Sequence, residues 1–70
     1  MSLIELSEGI QMVIARIGGG RHVRKRLINL GIIPGIPVTV IRKIGRNPLI
    51  LSVLGRQVVL GRGIAAQVFV

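Results

Sequence analysis

Between Gly31 and Pro37 the chain places two glycines and two prolines, inside the stretch LGIIPGIPVTVIRK from Leu30 to Lys43. No regular element runs through such a segment, because each proline lacks a backbone N–H and fixes its own φ. Upstream lies RHVRKRLINL, Arg21 to Leu30. Val23, Leu27 and Leu30 recur there at i, i+4 and i+7, one face of a helix, while Arg21, Arg24, Lys25 and Asn29 fall mostly on the other side. Gly31, just past the last periodic residue, is placed to take the left-handed conformation that ends a helix without a Cβ penalty. Pro34-Gly35 fits a type II turn, with proline at i+1 and glycine at the positive-φ position. Pro37 opens a strand, where its missing N–H does least harm. The pattern predicts one short helix over about residues 21–30, stopped and reversed at this junction.

Everything else reads as β. GIQMVIARI, Gly9 to Ile17, is short and rich in β-branched residues and predicts a strand, broken by Gly18 to Gly20. In IPVTVIRKI, Ile36, Val38 and Val40 share one face and Thr39, Ile41 and Lys43 the other. Gly45 to Pro48 reads as a turn and Leu49 to Leu54 as a strand. Gly55-Arg56 reads as a tight hairpin, Gln57 to Leu60 as its return, Gly61 to Gly63 as a break, and Gln67 to Val70 as a closing strand. Five short strands predict a small barrel, whose closure would remove edges from strands this apolar. No linker or repeat is visible, so residues 1–70 form a single domain.

A domain of this length buries only about 60% of the surface its unfolded chain exposes. Half of its 70 residues are apolar, which leaves apolar surface for a partner or for another copy of the chain. Ten Lys and Arg stand against two acids, Glu5 and Glu8, for a net charge of +8. Such a chain is attracted to nucleic acid, an anionic membrane surface or an acidic protein face. The absence of Cys fits a cytoplasmic location. The N-terminus MSLIELSEG has no basic region ahead of an apolar one, so no signal peptide is expected. The longest uncharged run, Leu27 to Ile41, holds two prolines and falls short of the about 20 apolar residues a membrane span needs. A soluble protein is expected despite the positive mean hydropathy.

With one His, two Glu and no Asp, Cys or Tyr, no nucleophile, base and orienting acid can be assembled. No catalytic, cofactor-binding or metal-ligating residue is assigned, and the chain is not expected to be an enzyme. Glu5 and Glu8 read as solvated charges and His22 as an exposed helix residue. GGGRHVRKR lacks the spacing of a phosphate-binding Walker loop. GRGIAA matches G-x-G-x-x-[GA], but too little chain follows it for a dinucleotide fold. What remains is a contact surface: Arg21, Arg24, Lys25 and Arg26, with the adjoining Leu27 shared with the core-facing stripe. Nucleic acid is the alternative partner. Small barrels that bind single strands use aromatic platforms, however, and the one aromatic here, Phe69, lies in an apolar terminal strand. A proline-rich peptide would likewise need an aromatic-lined groove.

RLINLGIIPGIPVTV resembles the hallmark of the FeoA family, ferrous iron transport protein A. The matching positions are Arg26, Leu27, Leu30, Gly31, Pro34, Gly35, Val38 and Val40, of which Gly31, Pro34 and Gly35 are the structural signature. NPLILSVLGRQVVLGRGIAAQVFV continues the likeness through Leu60, Ala65, Val68 and Val70, and SLIELSEG resembles the family's opening. One departure is LGRGIAA, where the family often carries a more basic or helical stretch. The resemblance implies a five-stranded SH3-like barrel with one inserted helix and no bound cofactor. It also implies a cytosolic accessory of FeoB, the membrane GTPase that imports ferrous iron, docked on that transporter's cytoplasmic part or held at the anionic inner membrane surface.

Overall fold

The computed structural model describes residues 1–43, 45–46 and 48–70; the parts of the expected strand and turn that fall on Ile44 and Asn47 lie outside them. The reversal at Gly31 is carried out by two nested backbone motifs. Helix α1 spans Arg21–Asn29, with Leu30 as its C-cap. Gly31, at φ +80°, donates to the Ile28 carbonyl at 2.9 Å, and Ile32 donates to the Leu27 carbonyl at 2.9 Å. This pair of bonds is a Schellman closure, which satisfies carbonyls the helix leaves open. Leu27 and Ile32, whose backbones it joins, are both fully buried. Next, Ile36 N–H donates to the Ile33 carbonyl at 3.3 Å around Pro34 and Gly35. Gly35 has φ +90°, as a type II turn requires.

Strand β3, Pro37–Lys43, follows at once and is the hub of the larger sheet. Strand β1, Gln11–Val13, β4, Leu49–Val53, and β5, Arg56–Leu60, complete it in the order β1-β3-β4-β5, all antiparallel. Side chains alternate across this sheet with the period of two that strands impose. Val38 and Val40, Leu49, Leu51 and Val53, and Val58 and Leu60 all point into one core. On the outer face Gln11, Thr39, Ser52 and Gln57 stand opposite one another across all four strands. A bulge between Val40 and Arg42 shifts the register.

Three expectations are corrected. The segment Gly9 to Ile17 is two strands, β1 and β2, the latter Arg16–Ile17. Ile14 still pairs with the segment before β3, donating to the Ile36 carbonyl and accepting from Gly35. Ala15 instead donates to the Phe69 carbonyl at 2.7 Å. One extended stretch therefore changes partner between Ile14 and Ala15 and joins a second sheet with β6, Val68–Phe69. The count becomes six strands in two sheets. Second, the hairpin turn is Leu54-Gly55, since Val53 pairs with Arg56. Both turn residues have positive φ, 50° and 80°, the type I′ geometry that matches strand twist. Third, the segment read as a break holds a short helix α2, Arg62–Ala65, capped by the extended Gly61. Ala65 donates to the Gly61 carbonyl at 2.9 Å and is buried in the core.

The two acids also have structural partners. Ser2 N–H and Oγ–H both donate to Glu5 Oε1 at 3.4 Å, at the start of a 3-10 turn over Leu3–Glu5. Glu8 Oε2 accepts from the Lys43 backbone at 2.7 Å, while Lys43 Nζ donates to the Ile4 carbonyl at 2.8 Å. Among the described residues no helix is long and apolar enough to cross a membrane.

Two turn substitutions should act with opposite sign. Gly31→Ala places a Cβ at positive φ and 2.9 Å from Arg56 Nη2, and is expected to destabilise by about 1–2 kcal/mol. Leu54→Asn relieves a non-glycine residue at φ 50° that is 64% exposed, and is expected to stabilise by roughly 0.5–1 kcal/mol, because Asn tolerates this conformation. Urea unfolding monitored by far-UV circular dichroism measures both.

Candidate functional site

Helix α1 starts with Gly20 as N-cap and has no acidic residue in its first turn. Arg21 therefore sits at the positive end of the helix dipole, where a cation is unfavourable by about 0.3–1 kcal/mol. Arg21 and Lys25 are four apart, a like-charged pair that costs a further ~0.2–0.5 kcal/mol. All four cations of the helix, Arg21, Arg24, Lys25 and Arg26, are exposed. At Arg21 and Lys25 the arrangement works against folding, whereas Arg26, in the last turn, is favourably placed. At the other end the charge is well placed. Arg56, from the β4–β5 hairpin, donates through Nη2 to the Leu30 carbonyl at 3.0 Å, a cation at the negative end of the dipole.

The predicted core face of the helix is observed, with Leu27 fully buried and Val23 and Leu30 packed against the core. Leu27 consequently offers a partner no surface and leaves the candidate contact set: its carbonyl closes the Schellman motif and its side chain fills the core. Ile28, beside it, takes the opposite role. It is 59% exposed and lies one helical turn after Arg24.

Arg24 and Ile28 form a ridge between two concave surfaces. One has a volume of about 350 Å³ and is lined by Arg16, Ile17, Ile32, Ile33 and Pro34 in addition to the ridge. The other, about 440 Å³, is lined by Gly19, Arg21 and Lys25 with the same ridge. The first groove has an apolar floor and a basic wall. The Arg16 guanidinium lies over the Phe69 ring at 4.0 Å, a cation–π contact that occupies the chain's one aromatic. The junction supplies the floor: Ile32, Ile33 and Pro34 come from the segment between the Schellman closure and the type II turn.

Of the cations expected from the sequence to form a contact surface, Arg21, Arg24 and Lys25 line these concave surfaces and Arg26 lines neither; Arg16, Ile28 and Ile33, which also line them, were not among the expected residues. A lone charge inside a β-branched strand and an isoleucine on the charged side of a helix were the available signals. His22 is exposed on the same helix, and among the described residues no three His, Cys, Asp or Glu gather as a metal site. Apolar surface is also exposed on the edge strand β1, at Val13, and beside it at Ile10.

A family model for the FeoA domain matches residues 1–70. An Fe(2+) transport protein A of Methanocaldococcus jannaschii is 33% identical over 63 residues, covering 90% of this chain and 76% of that protein. A crystal structure of an iron uptake regulatory protein, FeoA, superposes with a TM-score of 0.91 at 31% identity, covering 97% of this chain and 91% of the other. A zinc complex of Stenotrophomonas maltophilia FeoA, described as a prokaryotic SH3 domain protein, gives a TM-score of 0.83 at 26% identity over 97% and 86% of the two chains. The mainly β architecture with its inserted helix is thus that of a small SH3-like domain. The chain belongs to the FeoA domain family.

If the cations of α1 are held there against stability, removing them should not harm the fold. Arg21→Glu, which places an acid at the helix N-terminus four residues before Lys25, is expected to raise stability by about 0.5–1 kcal/mol. Arg24→Ala is expected to stay within about 0.5 kcal/mol of the parent. Thermal melts at low and high salt check both, and the gain from Arg21→Glu should shrink as salt rises.

Proposed function

We propose that this chain is a small accessory protein of ferrous iron uptake that acts by docking on the cytoplasmic part of a FeoB-type GTPase transporter. Membership of the FeoA family and the iron-transport names of its relatives support the setting. The observation that carries the mode of action is the exposed cation cluster on α1, whose Arg21 is placed at a cost to helix stability and whose Arg24 borders a concave apolar surface. A protein with one His, two Glu and no Cys or Asp has few groups with which to hold the transported ion, so its influence runs through contact. Docking biases the transporter to the extent that the chain binds one of its states more tightly than another. The working location is the cytoplasmic face of the membrane. An anionic leaflet there adds attraction, about 1 kcal/mol for each Lys or Arg near the surface. Nucleic acid fits less well, because Phe69 is covered by Arg16 and offers no stacking platform.

Binding of the chain to the cytoplasmic domain of FeoB from the same organism, with and without GTP, tests the proposal by biolayer interferometry. Combined Arg24→Glu and Lys25→Glu substitution is expected to weaken association at least tenfold at low salt. Unchanged binding of the doubly reversed variant would remove the helix from the interface. Tight, sequence-selective binding to DNA or RNA in a mobility-shift assay would replace the transporter with nucleic acid as the partner.

A further inference from the structure

The groove beside α1 combines three features that a merely solvated basic helix lacks. Its floor is apolar and open, with Ile28 at 59% and Ile33 at 39% exposure. Its volume of about 350 Å³ falls within the roughly 300–1,000 Å³ of clefts that hold ligands. Two arginines, Arg16 and Arg24, stand on its walls with no acid among the lining residues. The chain's two carboxylates are engaged elsewhere, Glu5 with Ser2 and Glu8 with the Lys43 backbone.

Arg16 is the most informative of the lining residues. The guanidinium carbon lies 4.0 Å from the centre of the Phe69 ring, and the exposed side chain keeps N–H groups available for a carboxylate. The stack also restricts a side chain that would otherwise lose rotamer freedom on binding, which lowers the cost of forming the contact.

We infer that this groove seats a short acidic segment of a partner protein, with its carboxylates on Arg16 and Arg24 and a large aliphatic side chain on Ile28 and Ile33. Charge complementarity selects the acid, and the concave isoleucine floor selects a peptide over a bilayer. A flat lipid surface would meet the exposed helix ridge rather than the concavity beside it. This assignment deepens the docking reading and rests on it for the identity of the partner, but the chemistry of the groove stands by itself.

The probe is a fluorescein-labelled hexapeptide alternating aspartate and leucine, with a lysine-for-aspartate version as control. Saturable binding of the acidic peptide alone is expected by fluorescence anisotropy, with amide shifts in ¹⁵N NMR centred on Arg16, Ile28 and Ile33. Arg24→Ala and Ile33→Ser are each expected to weaken it at least fivefold, and Arg42→Ala, on β3, by less than twofold. Arg16→Lys, which keeps the charge and removes the planar fork, is expected to weaken it at least threefold. Equal losses in Arg24→Ala and Arg42→Ala, or no saturable binding, would overturn the groove. So would retention on phosphatidylglycerol vesicles that depends on Arg24 when the peptide does not bind, which makes the surface a membrane contact. If the FeoB domain binds parent and groove variants alike, the groove fails and docking stands. If the peptide binds and the domain does not, docking fails and the groove stands.

Discussion

The amide of Ile32 reaches back to the carbonyl of Leu27, and the arrangement of the molecule depends on that closure. It forms only if Gly31 takes positive φ, and it brings together two side chains that are fully buried. The helix is thereby stopped with its apolar stripe against the sheet and its charged side outward. The type II turn at Pro34-Gly35 then returns the chain, and β3 begins at Pro37. A helix ended one residue later would present a face rotated by about 100°, and Arg24 and Ile28 would no longer border a groove floored by Ile32 and Ile33. Arg56 reinforces the same point from the β4–β5 hairpin, by binding the Leu30 carbonyl.

Stability and function pull apart along α1. Its core face is well placed and its C-terminus is capped by a cation. Its N-terminus carries a cation where an acid would be better, and its exposed face repeats charges of one sign. In a domain this small, where net stability is a narrow difference between large terms, such an arrangement fits a surface kept for a partner. The sheet shows the contrast: its outer face carries the uncharged polar row Gln11, Thr39, Ser52 and Gln57, with opposed residues in register.

Much of the fold was legible from local chemistry. Gly31, Pro34, Gly35 and Pro37 act where their backbone preferences place them, and the stripe Val23, Leu27 and Leu30 faces the core as its period requires. Strand β3 keeps the alternation read from the chain through Val40; beyond it the bulge sets Lys43, expected on the Thr39 face, opposite the core residue Leu49. The misplacements have a common cause, since each was decided by pairing or packing across the molecule. The stretch Gly9 to Ile17 looks uniform, and its division at Ile14 exists only because β3 and β6 lie on different sides of it. The hairpin turn moved to Leu54-Gly55 because β4 and β5 pair in the register that buries Leu51 and Val58 on one face, leaving a leucine in a conformation that propensity disfavours. Helix α2 holds a glycine in its interior, and packing of Ala65 in the core outweighs that weakness.

For the candidate site the division is sharper. The sequence determined the charge: ten cations against two acids, and four of them on one short helix, a property no folding can change. It also determined the junction, because only glycine accepts positive φ at no steric cost and only proline presets the turn. Tertiary structure decided what the charge surrounds. Arg16, Ile28 and Ile33 lie on a strand, a helix and a loop that sequence distance separates, and Leu27 passes from the contact surface to the core. Burial and concavity are properties of elements packed together, so the groove came into view only once α1, the junction and the two sheets were in place.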